Sequence, residues 1–128
     1  MSRSVLLIED NEQNRYLATF LLERSGYTVA AFPDGARGIE AAGAMLPVLI
    51  LLDIQLPTMD GYAVARALRQ NKALMHTPIV AVTSYAMPGD REKALAAGCT
   101  GYIEKPINPE TFIAEVETAF SGPGKGSP

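Results

Sequence analysis

Carboxylate, hydroxyl and ammonium side chains stand at the ends of four apolar segments of this 128-residue chain. Glu9 and Asp10 follow the first segment, and Asp53 follows a later one. Thr83 and Lys105 end two further segments. Together, these residue types could hold a divalent cation and the oxygens of a phosphoryl group.

The three acids indicate which kind of cation would bind between them. Like charges a few ångströms apart cannot all ionise cheaply unless a cation joins them. Mg²⁺ fits best, because it prefers hard oxygen ligands and needs only one or two protein carboxylates. A carboxylate can also attack phosphorus as a covalent nucleophile while cations neutralise the phosphate oxygens. We expect Asp53 to be that nucleophile, since it alone ends the central strand with cations on both flanks.

Five short runs rich in aliphatic residues predict the strands that would position these groups. They are residues 5–8, 28–32, 48–52, 79–82 and 101–103. The first and third runs are continuously apolar, which is typical of strands covered on both faces. Each run precedes a helical pattern, so the sequence predicts a parallel sheet between layers of helices. The carboxyl ends of its strands would meet at one edge, where open α/β sheets bind their ligands.

Apolar residues spaced three and four apart predict which helix faces meet the sheet. The first helix offers Leu17, Phe20 and Leu21, and further stripes comprise Ala65 and Leu68, and then Phe112, Val116 and Phe120. Gly26 and Gly98 stand where helices should end. Five βα units in about 120 residues predict an α/β fold with a doubly wound sheet, because a closed eight-unit barrel needs roughly 250 residues.

Composition predicts one domain over residues 1–120, followed by a disordered tail or linker stub over 121–128, SGPGKGSP. The net charge of −3 and the scattered basic residues argue against direct binding of nucleic acid. No segment is apolar enough for a bilayer, and the N-terminus lacks a signal-peptide pattern. With a single cysteine, Cys99, a cytoplasmic setting is expected.

Four motifs jointly resemble the receiver domains of bacterial response regulators in two-component systems: IED, LLDIQLPTMDG, VAVTSYAMPGD and GYIEKPI. The resemblance covers residues 4–120. In the detail of their residues, these motifs most resemble single-domain receivers of the DivK type and receivers of hybrid histidine kinases. The resemblance implies a flavodoxin-like fold with five helices and five parallel strands in the order 2-1-3-4-5.

The resemblance also implies roles at the acidic end of the sheet. Asp53 would accept a phosphoryl group from a histidine kinase or a phosphotransfer protein. Asp10 and Asp53 would bind Mg²⁺, Glu9 would support the metal through water, and Gln55 would contribute its backbone carbonyl. Many family members carry aspartate at the position of Glu9. Gln55 and Tyr85 would influence how fast the acyl phosphate hydrolyses.

The remaining implied roles concern signalling. Lys105, expected before a cis Pro106, would pair first with the acids and then with phosphate. Thr83 and Tyr102 would turn inward as switch residues. The surface of the fourth helix, fifth strand and fifth helix would then bind a downstream protein, with contact expected at Ala86, Met87, Pro88 and the helix near Asp90. The chain would be a monomer or a phosphorylation-dependent dimer, and would catalyse only its own phosphoryl transfer and dephosphorylation.

Simpler interpretations exist for single residues and for the whole chain. Asp10 alone could cap a helix, and Asn11 or Asn14 could cap a helix or approach phosphate. A phosphatase of the haloacid-dehalogenase type would share the acyl phosphate, but it needs a second acid where this chain has Gln55. A scaffold that ignores phosphate has no reason to combine Asp53 with the other polar strand ends, and a flavin phosphate would be repelled there.

Overall fold

Strands and helices alternate along the chain, which a computed structural model describes for residues 3–56, 59–84 and 88–121. The strands are β1 (Ser4–Ile8), β2 (Thr28–Phe32), β3 (Leu49–Asp53), β4 (Ile79–Thr83) and β5 (Gly101–Glu104). The α-helices are α1 (Glu12–Arg24), α2 (Gly35–Met45), α3 (Gly61–Gln70), α4 (Asp90–Ala96) and α5 (Phe112–Ser121). A short 3₁₀ helix spans Lys72–Leu74. Each predicted strand lies within one residue of an observed one.

All five strands are parallel and form one sheet in the order β2-β1-β3-β4-β5. The predicted doubly wound fold and strand order are therefore confirmed. The strand β3 is central, and its last residue, Asp53, lies opposite Val82 of β4. Thr83, the next residue of β4, lies opposite Glu104 of β5. The register thus brings the polar residues of these strand ends to one edge of the sheet.

Alternation along the strands divides the apolar core into two layers, because successive side chains point to opposite faces. One layer packs the sheet against α2, α3 and α4, with Leu6, Ile8, Ile50, Leu52, Ile79 and Ala81 facing it. The other packs the sheet against α1 and α5, with Val5, Leu7, Leu49, Leu51, Val80 and Val82 facing it. Both faces of the central strands are covered, as their continuous apolar runs predict.

The helix α1 packs with a different face from the one its spacing suggests. Its buried residues are Ala18, Leu21 and Leu22, whereas Phe20 is 45% exposed. Phe20 lies about 200° around the helix axis from Ala18. Its ring stacks instead on Tyr16, with the ring centroids 6.4 Å apart. The expectation that Phe20 faces the sheet is therefore wrong, because the small Ala18 and its neighbours occupy that face.

Several predicted boundaries and packing residues are confirmed. Asn11 is the N-cap of α1, since its Oδ1 accepts a hydrogen bond from the Asn14 amide at 2.9 Å. Gly26 and Gly98 follow α1 and α4 with φ angles of 96° and 109°, which favour glycine. Of the remaining stripe residues that the structure describes, Leu17 is partly buried and the others are buried: Leu21, Ala65, Leu68, Phe112 and Val116. The side chain of Phe120 and the tail over 122–128 lie outside the described residues. Within the described ranges, no helix is both long and apolar enough to span a bilayer.

Candidate functional site

Three carboxylates meet at the carboxyl edge of the sheet. Glu9 and Asp10 directly follow β1, and Asp53 ends the neighbouring strand β3. One carboxylate oxygen from each residue lies within 4.8 Å of the others. Glu9 and Asp53 are each only 2% exposed, whereas Asp10 is exposed. A hard divalent cation fits this donor set, because it would offset three negative charges that are partly removed from water.

Lys105 contributes a buried positive charge to the same cluster. Its Nζ lies 3.0 Å from Glu9 Oε1 and 3.4 Å from Asp53 Oδ2, and its side chain is 9% exposed. The backbone amide of Lys105 donates to the Thr83 carbonyl at 2.8 Å, which fixes the end of β5 beside the end of β4. The peptide bond between Lys105 and Pro106 is cis, as the family resemblance implies.

Backbone amides hold the two buried carboxylates in place. Asp53 Oδ1 accepts from the Gln55 amide at 2.9 Å, and Glu9 Oε2 accepts from the Asn11 amide at 3.1 Å. Arg15 stabilises the loop after β1, because its Nη1 donates to the Glu9 carbonyl at 2.9 Å and to the Asp10 carbonyl at 3.3 Å. The acids therefore occupy a loop and a strand end with defined positions.

Sequence reasoning missed two parts of this arrangement. It assigned no role to Arg15, and for Gln55 it expected a carbonyl ligand and an influence on hydrolysis but no contact with the segment after β4. In the structure, Gln55 Oε1 also accepts a hydrogen bond from the Ser84 amide at 3.0 Å. The position of Arg15 one turn into α1 is the only signal for its contact, since a side chain there can reach back toward the loop before the helix. No comparable signal exists for Gln55.

The switch residues of the sequence prediction occupy two neighbouring strands. Thr83 ends β4 and is 3% exposed. Tyr102 lies in β5 beneath Arg91, whose guanidinium carbon is 5.8 Å from the ring centroid. The Tyr102 hydroxyl is buried without a hydrogen-bond partner in the described part of the chain. Burial raises the pKa of Tyr102, and the Asp90 carboxylate adds to the shift. Tyr85, Ala86 and Met87 lie outside the described residues.

The pKa values of Asp53 and Asp10 are both raised above that of an ordinary aspartate. The pKa of Asp53 is raised above 3.8, chiefly because the carboxylate loses water, although its hydrogen bond from Gln55 opposes the shift. The nearby charge of Glu9 raises the pKa of Asp53 further, whereas Lys105 lowers it. Desolvation also raises the pKa of Asp10, and Asp53 adds to that shift. The folded protein therefore binds protons at these carboxylates more tightly than an unfolded chain does.

Replacing Asp53 with asparagine is expected to stabilise the protein at neutral pH without Mg²⁺, by roughly 1–3 kcal/mol. The amide removes a buried negative charge, while Lys105 keeps its contact with Glu9. Because the folded-state pKa of Asp53 is raised, the contribution of Asp53 to stability is complete below pH 3.8 and is lost as the pH rises. The advantage of Asp53→Asn should therefore appear on going from acid to neutral pH. Urea unfolding in EDTA at several pH values measures it.

Millimolar Mg²⁺ provides the control for this effect. A cation that binds the folded state stabilises it by mass action, and wild type offers it three carboxylates where Asp53→Asn offers two. Added Mg²⁺ should therefore stabilise wild type more than the variant. The difference between their free energies of unfolding should then become smaller. A variant less stable than wild type at neutral pH would show that the Lys105 contact outweighs the cost of burying the charge.

Comparisons with known proteins identify the family to which this chain belongs. The family model described as response regulator receiver domain matches residues 5–117. The polar-differentiation response regulator DivK of Brucella abortus is 41% identical over 118 residues, which cover 92% of this chain and 96% of that protein. Chemotaxis protein CheY4 of Vibrio cholerae has a TM-score of 0.89 at 28% identity, covering 93% of this chain and 99% of that one.

A further solved structure carries a metal at its own site. It is the receiver domain of a sensor histidine kinase from Pseudomonas aeruginosa, with a magnesium ion coordinated in the active site cleft. Its TM-score is 0.85 at 31% identity, and the match covers 95% of this chain and 100% of that one. The family match, the DivK relative and the shared fold lead to one conclusion: this chain belongs to the response regulator receiver domains of two-component systems.

Proposed function

We propose that Asp53 is the phosphoacceptor of this receiver domain. The observation that carries the proposal is the buried Asp53 carboxylate beside both a lysine ammonium and two further acids. An oxygen of Asp53 attacks the phosphorus of a phosphohistidine, an O–P bond forms and the P–N bond breaks. The electron pair of that bond stays with the imidazole of the donor, which takes up a proton. A histidine kinase or a phosphotransfer protein supplies the phosphoryl group.

The neighbouring acids favour Asp53 over themselves as the nucleophile. Both oxygens of Glu9 already accept hydrogen bonds or pair with Lys105, and the Asn11 amide also binds one of them. Asp10 is exposed, so water competes for its oxygens. Asp53 Oδ1 is oriented by the Gln55 amide, which leaves Oδ2 toward Lys105. This arrangement presents one oriented oxygen next to a positive charge.

Mg²⁺ is the proposed cofactor, and it would be held by Glu9, Asp10 and Asp53, with the Gln55 carbonyl as a further oxygen ligand. When bound, Mg²⁺ neutralises charge on the phosphoryl oxygens during transfer. Lys105 stabilises the same charge from the other side and then remains paired with the anionic product. Thr83, at the end of the adjacent strand, would donate its hydroxyl to a phosphoryl oxygen.

We propose that a downstream protein binds the face formed by α4, β5 and α5. A groove of about 900 Å³ on this face is lined by residues that include Arg91, Tyr102, Glu104 and Glu115. Tyr102 lines the groove and also packs against the core between the sheet and α2, α3 and α4. A movement of Tyr102 toward the interior would therefore change the shape of the groove and so the binding of a downstream protein.

Acetyl phosphate tests the phosphoacceptor directly. Incubation with Mg²⁺ and acetyl phosphate should add a single phosphoryl group to the intact mass of the wild type, with acetate as the leaving group. Asp53→Asn should gain no mass, because the amide is a poor nucleophile. Unlabelled wild type, or a labelled Asp53→Asn, would contradict the assignment.

Asp60→Asn is the matched control for this experiment. Asp60 is an exposed acid that caps α3 by accepting from the Tyr62 amide at 3.1 Å, and asparagine can make the same bond. It should be labelled like the wild type. EDTA should suppress labelling of both proteins, since the proposed transfer needs Mg²⁺. Continuous hydrolysis of phosphomonoesters by wild type would instead favour the phosphatase.

A further inference from the structure

Gln55 joins the ends of two neighbouring strands through separate groups. Its backbone amide donates to Asp53 Oδ1 at 2.9 Å, and its side-chain Oε1 accepts from the Ser84 amide at 3.0 Å. Ser84 directly follows Thr83, the last residue of β4. One half-buried residue therefore connects the proposed phosphoacceptor, through its backbone, with the segment after the proposed switch residue, through its side chain.

The Ser84 amide is a donor that lies beyond the hydrogen-bonded ladder of the sheet. The ladder between β3 and β4 ends near Asp53, where the Ile54 amide donates to the Val82 carbonyl at 3.0 Å. Ser84 lies just past the end of β4, and among the described residues its amide donates to the Gln55 side-chain oxygen instead of to a neighbouring strand. Backbone donors require an acceptor, and this neutral side chain supplies it.

A phosphoryl group on Asp53 would bring a stronger acceptor to the same sheet edge. Its three oxygens share a charge near −2, and hydrogen bonds to charged acceptors are roughly twice as strong as those between neutral groups. We propose that the Gln55 side chain holds the Ser84 amide in the unphosphorylated protein and yields it to a phosphoryl oxygen once Asp53 is phosphorylated. This inference rests on the proposed function.

Gln55 is thus a positioning residue with a consequence for signalling. The Gln55 to Ser84 bond holds the start of the loop after β4 in its resting place, and its exchange for a phosphoryl oxygen draws Ser84 and Thr83 together toward Asp53. The bond must break before the phosphorylated arrangement forms, so it opposes that arrangement by the strength of one neutral hydrogen bond. The side chain at position 55 therefore sets part of the balance between the two states.

Two substitutions test the exchange with opposite expected signs. Gln55→Met keeps the length of the side chain but removes the acceptor, whereas Gln55→Glu keeps an acceptor and gives it a full charge. Beryllofluoride with saturating Mg²⁺ serves as the phosphoryl mimic. Gln55→Met should bind it about two- to tenfold more tightly than wild type, and Gln55→Glu more weakly. A role in folding alone would shift both variants in the same direction.

Amide hydrogen exchange at Ser84 reports the resting bond without any phosphoryl mimic. Its protection should fall in Gln55→Met and stay or increase in Gln55→Glu, while beryllofluoride should bring Ser84 of wild type and Gln55→Met to the same amide chemical shift. Gln70→Met, at an exposed glutamine that ends α3, should match wild type throughout.

The outcomes separate this inference from the proposed function. If wild type binds beryllofluoride but Gln55→Met binds it no more tightly, or keeps full protection at Ser84, the exchange is refuted and the phosphoacceptor assignment stands. If wild type binds no beryllofluoride and is not labelled by acetyl phosphate, the proposed function fails, and the exchange fails with it.

Discussion

Replacing Lys105 with methionine is expected to lower the free energy of unfolding by about 3–5 kcal/mol at neutral pH without Mg²⁺. Methionine fills a similar volume but leaves Glu9 and Asp53 buried without their ammonium partner. Removing one member of a buried ion pair costs far more than an exposed pair is worth, because the remaining charge has neither water nor a counter-ion. Urea unfolding followed by circular dichroism measures the loss.

The loss in the free energy of unfolding should change with pH and with Mg²⁺ in a predictable direction. Lys105 lowers the pKa of Asp53, so its removal raises a pKa that burial already holds above 3.8. A carboxyl group with a raised folded-state pKa contributes stability at low pH that is lost as the pH rises. The deficit of Lys105→Met should therefore be smallest in acid and largest at neutral pH. Mg²⁺ should recover part of it by supplying positive charge.

Two comparisons make this prediction specific. Combining Lys105→Met with Asp53→Asn should cost less than Lys105→Met alone, because the amide removes one of the stranded charges. Lys93→Met, at an exposed lysine of α4, should change the free energy of unfolding by no more than about 0.5 kcal/mol. Equal effects of the substitutions at Lys105 and Lys93 would mean that the buried pair contributes nothing.

Replacing Gly61 with alanine should also destabilise the protein strongly, with an expected cost of about 3 kcal/mol. Gly61 begins α3 and packs directly on the backbone that follows β3. An added Cβ would lie 2.7 Å from the Ile54 carbonyl oxygen and 2.9 Å from that of Asp53, and would also overlap the Ile54 Cα. Backbone atoms cannot move aside like the end of a side chain. The strain would displace Asp53 and reduce labelling by acetyl phosphate as well as stability.

Gly43→Ala should have the opposite effect and stabilise the protein. Gly43 is exposed in the last turn of α2, and the nearest atom to an added Cβ is the side-chain Asn71 Nδ2 at 3.2 Å, which can shift. Alanine favours the helix, so this variant should gain about 0.5–1 kcal/mol. Thermal unfolding distinguishes the two glycines. A Gly61→Ala protein as stable as wild type would show that α3 can withdraw from β3 without cost.

The fold was predictable because its strands carry strong local signals. Continuous apolar runs require cover on both faces, and a parallel sheet carries the carboxyl ends of its strands to one edge. These two facts place Asp53, Glu9 and Asp10 on the same edge of the sheet, and the pairing of β1 with β3 then brings them together. The strand order itself depended on resemblance to a known family, since several orders of five parallel strands satisfy the same apolar pattern.

The remaining features depend on which side chains pack together in three dimensions, and the spacing of residues along the sequence does not show this. Phe20 has helical spacing compatible with the core, but Ala18 allows a closer approach of α1 to the sheet, so Phe20 is left outside. The contacts of Arg15 with two carbonyls and of Gln55 with Ser84 depend on side-chain rotamers and loop geometry. Only the position of Arg15 one turn into α1 indicates its local contacts, whereas Gln55 and Ser84 are 29 residues apart and no local spacing predicts their bond.

The ion pair between Lys105 and Glu9 joins positions that are 96 residues apart. A ribosome completes all three acids of the cluster long before Lys105 emerges, and β5 must dock on the edge of the sheet before the ammonium reaches them. Closing so long a loop is entropically costly and is repaid only when most of the core has formed. A nascent or truncated chain therefore carries the acids without their lysine. The ion pair therefore forms only in molecules whose sheet already includes β5.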